Sequence, residues 1–106
     1  MNEKTFPLTQ EETLRLIERY PTPFHIYDEA KIRANFRRLR DVFAWAPHFR
    51  EHFAVKALPN PRIVQLLHEE GAGTDCSSIA ELLISEAAGV MGEEIMLTSN
   101  DTPYDE

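Results

Sequence analysis

Short apolar segments alternate with helix-forming stretches through the second half of this chain, and that alternation constrains its fold more than any other feature. The first two predicted strands lie at residues 53–56 and 74–76. The helical stretches after them end where Gly71 and Gly89 stand, and glycine is the usual residue just beyond a helix. Each helix must carry the chain back across the sheet, so consecutive strands pair in parallel. The pattern therefore predicts an α/β layer or barrel.

The same pattern continues toward the end of the chain. Ser78 and Glu81 form a capping box that starts a helix, and residues 94–98 are predicted as the third strand. Thr102 and Pro103, followed by acidic residues, have the composition of a further helix start. The chain stops there after 106 residues, which is too short for a complete barrel, so we interpret it as a fragment.

The first half of the chain is predicted to contain two helices and a short strand. Thr9 and Glu12 form a capping box, and the helix that they start ends before Pro21. Residues 24–27 are rich in strand-forming side chains and predict a strand. Asp28 caps a second helix, whose apolar residues recur at helical spacing. These residues are Ile32, Phe36, Leu39 and Phe43.

The charge of the chain argues against several classes of partner. Eighteen acidic residues against eleven basic ones give a net charge of -7, which disfavours attraction to nucleic acid or anionic membranes. The basic face of the second predicted helix is assigned no ligand, because such a face is normally solvated. No apolar run is long enough to span a membrane, the N-terminus lacks a signal-peptide layout, and Cys76 is the only cysteine. These features predict a cytoplasmic protein without a nucleic-acid or membrane partner.

Lys56 is the first candidate for chemistry, because it places an amine where a predicted strand ends and a helix begins. A solvated surface charge is the alternative interpretation. A lysine attacks carbonyl groups only as the free amine, and the preceding Phe53, Ala54 and Val55 offer the apolar setting that favours this form. Such an amine can form an imine with a sugar, a keto acid or pyridoxal phosphate. The chemistry of the residues alone does not choose among these.

A resemblance to a known family rests on two stretches. Residues 53–61 read FAVKALPNP, and residues 66–82 read LLHEEGAGTDCSSIAEL. Together they resemble the start of the fold-type III pyridoxal-phosphate decarboxylases, with diaminopimelate decarboxylase as the most similar member and the ornithine and arginine decarboxylases as relatives. Residues 22–28 and 95–100 are similar to further strands of the same family, so the resemblance extends over roughly residues 20–104.

The resemblance implies a fold and a domain organisation. The fold is the N-terminal portion of a (β/α)8 TIM barrel of the alanine racemase-like type, truncated after about three barrel strands. Residues 1–22 are then an N-terminal helical extension, and residues 23–106 are part of the cofactor-binding barrel. Within that part, residues 23–28 are a candidate strand of the second domain. The complete enzyme is expected to be a homodimer.

The resemblance also implies roles for three residues. Lys56 matches the lysine that binds pyridoxal 5'-phosphate covalently, and Asp75 matches an acidic residue that orients its ammonium form. Ala54 lies two residues before the lysine, so it is expected to point to the same side of the strand and to line the cofactor pocket. The chain departs from the family at Leu58, where many relatives have asparagine, and at residues 77–81, where a Ser-Gly-Gly-Glu pattern is common. The family's phosphate site, ring partners and second-domain cysteine would lie beyond residue 106.

The function implied is decarboxylation of a basic or dibasic amino acid, in particular of meso-diaminopimelate to lysine, by the full-length protein, with the fragment inactive on its own. The alternatives are a racemase or a pyridoxal-phosphate homeostasis protein on the same barrel, a binding relative without catalysis, or a piece that survives only as an oligomer or breakdown product.

Other interpretations apply to single residues. Asp75 could cap the following helix instead of orienting the lysine. His48 and His52 lack the carboxylates or cysteines of a metal centre, so no metal site is predicted.

Overall fold

Three parallel strands and the helices between them build the second half of the structure, a computed structural model in which residues 5–99 and 101–105 are described. The helices are α1 (Gln10–Arg19), α2 (Glu29–Val42), α3 (Pro61–Glu69) and α4 (Ile79–Ala87), and the strands are β1 (His52–Ala54), β2 (Gly73–Cys76) and β3 (Ile95–Leu97). Short 3-10 turns cover Val55–Ala57 and Gly92–Glu94. None of the helices in these described ranges combines the length and the apolar character that a membrane crossing requires.

The helices begin at the predicted residues because each start is stabilised by a side chain close to it in the sequence. Thr9 and Glu12 form the complete capping box of α1, and Asp28 Oδ1 accepts a hydrogen bond from the Lys31 amide at 3.0 Å. At α4 the hydroxyl of Ser78 donates to Glu81 Oε2 at 2.8 Å. The predicted starts of all three helices are confirmed.

The sheet has the strand order β1-β2-β3, and both pairings are parallel, as the alternation of strands and helices predicts. Aligned residues in neighbouring strands point to the same face of a sheet. Ala54, Asp75 and Met96 therefore form a row on one face, while Thr74 and Ile95 belong to the other. The second face carries the hydrophobic core.

Two apolar clusters hold the helices in place. One joins α2 to α3 around Phe36 and Ile63, and the other packs α3 and α4 against the sheet around Val55, Val64 and Cys76. In the second cluster, Cys76 and Ile95 of the strand face that carries Thr74 pack with Val64 of α3 and Leu82 of α4, so α3 and α4 cover that face. The face that carries Asp75 is not covered by a helix among the described residues.

An ion-pair cluster ties α2 to the end of α3. Arg37 Nε and Arg33 Nη1 contact the Glu70 carboxylate at 2.7 and 3.1 Å, and Arg33 also binds Glu29 and Glu69. The hydrogen bonds from Arg37 and then Arg33 lower the pKa of Glu70 to about 2. Most of the basic face of α2 is therefore occupied by partners within the chain.

Three details differ from the sequence-based expectations. Residues 24–27 are not part of a strand, because no described segment pairs with them. β1 ends at Ala54, two residues earlier than predicted, and the chain turns at Val55–Ala57. The predicted helix start at Thr102 is a turn at residues 104–105. The division into an N-terminal extension (residues 1–22) and a partial cofactor-binding barrel (residues 23–106), with residues 23–28 contributed to a second domain, stays a prediction.

We predict that Gly73→Ala destabilises the fold, because this glycine has no space for a side chain. An added methyl group would collide with the carbonyl oxygen of Glu94 and lie 2.6 Å from Cδ2 of His52. We expect the free energy of unfolding to fall by about 2 kcal/mol or more, as measured by urea denaturation. Gly92→Ala is the matched control. Gly92 has open space around it and a φ of 59°, so this substitution should lower the free energy of unfolding by about 1 kcal/mol. Equal losses would contradict the role of packing at Gly73.

We predict that the ion pairs of Glu70 make stability dependent on pH in the acid range. The pKa of Glu70 is held at about 2, below the ordinary value of 4.5. The stabilisation of the folded protein by these ion pairs is therefore fully present above about pH 4.5 and is lost as the pH falls toward 2. Glu70→Gln should flatten the fall in stability over this range when unfolding is measured at several pH values.

Glu86→Gln is the control for this series, because Glu86 is exposed and takes part in none of the ion pairs of the described residues. A pH profile that is the same for Glu70→Gln and for the unsubstituted protein would show that the cluster is not responsible.

Candidate functional site

The carboxyl ends of the three strands meet at one edge of the sheet, which is where α/β proteins usually place reactive groups. Lys56 lies at this edge, in the 3-10 turn directly after β1. Its side chain is exposed and makes no hydrogen bond or ion pair with another described residue. The amine is therefore available to a ligand.

The face of the sheet without helices carries the two other candidate residues. Ala54 and Asp75 are aligned across β1 and β2, and both are half-buried. Asp75 Oδ1 accepts a hydrogen bond of 2.6 Å from the hydroxyl of Thr98, just after β3. The structure thus brings a small side chain, a carboxylate and a hydroxyl together on one face of the sheet. Of these residues, Ala54 is two positions before Lys56 in the chain.

The position of Lys56 relative to Ala54 has a different origin from the one expected. A strand that continued through residue 56 would place residues 54 and 56 on the same side. Since β1 ends at Ala54, the turn at Val55–Ala57 sets the direction of Lys56 instead. The roles of Lys56, Asp75 and Ala54 in cofactor binding stay predictions.

Thr98 is the site residue that sequence reasoning missed. It was considered only as the last residue of a predicted strand. Its partner Asp75 lies 23 residues earlier in the chain, so no local spacing pattern could have connected the two. Only the parallel pairing of β2 with β3 brings them together.

Cys76 lies on the opposite face from Asp75, in a small buried polar group. The hydroxyl of Ser85 donates to Thr74 Oγ1 at 3.0 Å, and Cys76 Sγ lies 3.2 Å from Ser85 Oγ. All three side chains are almost completely buried between β2 and α4. This thiol is therefore buried under α4, on the face of β2 opposite Asp75.

Histidines occupy the opposite end of the strands. His68 Nε2 contacts Glu94 Oε2 at 2.9 Å, and this hydrogen bond lowers the pKa of Glu94. His52 lies over Gly73 on the open face, and its buried Nε2 has no hydrogen-bond partner within the described part of the chain. Residues 5–99 and 101–105 contain no cluster of three or more side chains suited to a metal ion.

Comparisons with known proteins identify relatives over nearly the whole chain. The family model described as "Pyridoxal-dependent decarboxylase, pyridoxal binding domain" matches residues 29–105. Protein TabA of Pseudomonas amygdali pv. tabaci is 48% identical over 97% of this chain, and diaminopimelate decarboxylase of Thermoplasma acidophilum is 36% identical over 85% of it. The chain spans 23% and 22% of the length of these two relatives.

Solved structures of decarboxylases also superpose on this chain. Lysine decarboxylase from Selenomonas ruminantium superposes with a TM-score of 0.81 and 30% identity, over 95% of this chain and 26% of that one. Ornithine decarboxylase from Entamoeba histolytica superposes with a TM-score of 0.76 and 32% identity, over 91% of this chain and 30% of that one. A further match, with a TM-score of 0.74 and 32% identity over 88% of this chain and 24% of that one, is described as a complex with PLP and cadaverine.

We predict that Cys76 does not react with thiol reagents in the folded protein, because its side chain is 0% exposed. Iodoacetamide treatment followed by peptide mass spectrometry should show little label on the Cys76 peptide without denaturant and full label in urea. Adding pyridoxal phosphate should not change the labelling, because the thiol is already buried between β2 and α4. Rapid labelling of the native protein would contradict the packing of α4 on β2.

Proposed function

Because this chain belongs to the pyridoxal-dependent decarboxylase family, we propose that the intact protein removes the carboxyl group of a basic or dibasic amino acid. The observation that carries this proposal is the exposed Lys56 amine at the carboxyl edge of a parallel sheet, two residues after Ala54, which is aligned with Asp75. No described residue pairs with this amine. The chain spans about a quarter or less of its relatives' length, so the activity is proposed for a protein of their length.

Family membership confirms the α/β fold expected from the sequence. The solved neighbours are pyridoxal-phosphate decarboxylases, and the three-stranded parallel sheet with its helices matches about a quarter of their length. The resemblance drawn from residues 53–61 and 66–82 is confirmed in the same way, since both stretches lie within the matched residues.

The described residues fit an aldehyde cofactor. Lys56 has no competing ion-pair partner among them, so its amine is free to condense with an aldehyde. Ala54 has a small side chain on the open face, which leaves room beside the sheet for a flat ring. When bound, pyridoxal phosphate supplies a ring that withdraws the electron pair left behind as the carboxyl group departs.

The chain's own groups have two tasks in this proposal. Lys56 Nζ would hold the cofactor covalently, and as a free amine it could carry a proton to or from the substrate. The Asp75 carboxylate attracts and orients the ammonium form of Lys56. Ala54, with its small side chain on the open face, would leave room for the cofactor there.

For the substrate we propose meso-diaminopimelate, with lysine as the product. The proteins named diaminopimelate decarboxylase support this, among them those of Thermoplasma acidophilum and Methanothermobacter thermautotrophicus, at 36% and 34% identity. The second candidate substrate is lysine or ornithine, which is favoured by the similarity to the lysine/ornithine decarboxylase of Selenomonas ruminantium, at 33% identity. No observation on the described residues favours a racemase, a homeostasis protein or a non-catalytic relative.

The proposal also includes a homodimer in the cytoplasm. The dimer rests on the family resemblance, and the location rests on the acidic composition and the single cysteine. Light scattering on the intact protein would test the dimer, since a monomeric mass at working concentrations would exclude it.

We predict that borohydride reduction of the intact protein with pyridoxal phosphate fixes the cofactor to the peptide that contains Lys56. Lys56→Ala should abolish this label and lower the rate of carbon dioxide release by at least about 10²-fold, because the covalent attachment is lost. Peptide mass spectrometry and a carbon dioxide assay on meso-diaminopimelate, lysine and ornithine measure the two effects.

Lys31→Arg is the matched control, because Lys31 is another exposed lysine whose side chain has no ion-pair partner among the described residues. It should keep the Lys56 label and the full rate. Label on another lysine, or none at all, would reject the enzyme function. A preference for lysine or ornithine over diaminopimelate would leave the reaction in place and replace the substrate.

A further inference from the structure

We infer that Thr98 is a positioning residue for Asp75, whose hydroxyl holds the carboxylate in the orientation that meets the Lys56 amine. This inference rests on the proposed function, since it assigns a task within the same site. It adds a residue that neither the motif around Lys56 nor the Asp75 motif contains.

The contact itself is short and has one possible direction. Thr98 Oγ1 and Asp75 Oδ1 are 2.6 Å apart, which is at the short end for a hydroxyl bound to a charged oxygen. An ionised carboxylate can only accept, so the Thr98 hydroxyl donates. One carboxylate oxygen is therefore engaged, and the other is left for a cation.

The backbone of Thr98 is also attached to β2, so the hydroxyl is not carried on a loose segment. The Thr98 amide donates to the carbonyl oxygen of Cys76 at 2.8 Å, which continues the ladder one residue beyond β3. Threonine is branched at Cβ and has few side-chain rotamers. A main-chain bond and a stiff side chain together aim the hydroxyl at Asp75.

The place of this pair in the sheet connects it with the amine. Asp75 is aligned with Ala54, two residues before Lys56, on the face that α3 and α4 leave open. Asp75 makes no hydrogen bond or ion pair to a side chain other than Thr98 within the described residues. Without the hydroxyl, the half-exposed carboxylate would be free to rotate among its rotamers. When a charged group next to a reacting amine is free to move, the reaction is slower because the productive geometry is populated less often.

The test uses Thr98→Val and Thr98→Ser in the intact protein loaded with pyridoxal phosphate. Valine keeps the shape and removes the hydroxyl, whereas serine keeps the hydroxyl. We expect Thr98→Val to lower kcat by about 10-fold with KM within about 2-fold, and to shift the pH at which the visible absorbance of the bound cofactor changes. Thr98→Ser should restore both properties close to those of the unsubstituted protein.

A double substitution separates positioning from a general structural effect. If Thr98 acts through Asp75, adding Thr98→Val to Asp75→Asn should cause no further fall in kcat and no further shift of the absorbance profile. The melting temperature should stay unchanged in Thr98→Val, because the side chain is exposed. If valine prevents folding, Thr98→Ala provides a second variant without the hydroxyl.

The outcomes distinguish this inference from the proposed function. One outcome is that borohydride labels Lys56 in the unsubstituted protein while Thr98→Val has the same kcat and absorbance profile as that protein. This result would overturn the role of Thr98 and leave the enzyme function intact. Additive losses in the double variant would also overturn it. No Lys56 label in the unsubstituted protein would overturn both.

Discussion

The register of the parallel ladder decides which chemistry each face of the sheet carries. β2 is paired on both sides, with Asp75 aligned to Ala54 and to Met96. Because side chains alternate along a strand, a slip of one residue would exchange Asp75 for Thr74 or Cys76 on the open face. Gly73 helps to set this alignment, since the ring of His52 and the carbonyl oxygen of Glu94 occupy the space where a side chain would stand. The candidate site therefore depends on a backbone pairing and on one position without a side chain.

The two faces of β2 have opposite physical requirements. On the covered face, Thr74, Cys76 and Ser85 satisfy one another's polar atoms away from water, which lets α4 pack closely on the sheet. On the open face, the Asp75 side chain makes a hydrogen bond to Thr98 and to no other side chain of the described ranges, so part of its hydrogen-bonding capacity stays unused. A carboxylate that a rigid sheet holds in place, with an oxygen still available, suits the role proposed for Asp75 of meeting the ammonium form of Lys56. One strand thus supplies both the core and the site.

Much of the architecture could be predicted from short-range patterns, and the failures have identifiable causes. The starts of α1, α2 and α4 depend on Thr9, Asp28 and Ser78, each of which bonds within three or four residues along the chain. Residues 24–27 have strand-forming composition but no described partner segment, and a strand exists only when it is paired. The early end of β1 escaped prediction because Val55 continues the apolar run even though the chain turns there. Lys56 was nonetheless identified, since its motif depends on residue order and not on strand length.

The amino-acid sequence by itself determined the family, the alternation of strands and helices, and the candidate roles of Lys56 and Asp75. These rest on motifs and caps whose parts are close together in the chain. Only the tertiary structure decided that Thr98 donates to Asp75, that Cys76 faces α4, and that Gly73 lies under His52. Each of these contacts joins segments that are far apart in the chain or assigns a side chain to one face of the sheet. Such relations arise from strand register and helix packing, which no local spacing of residue types encodes.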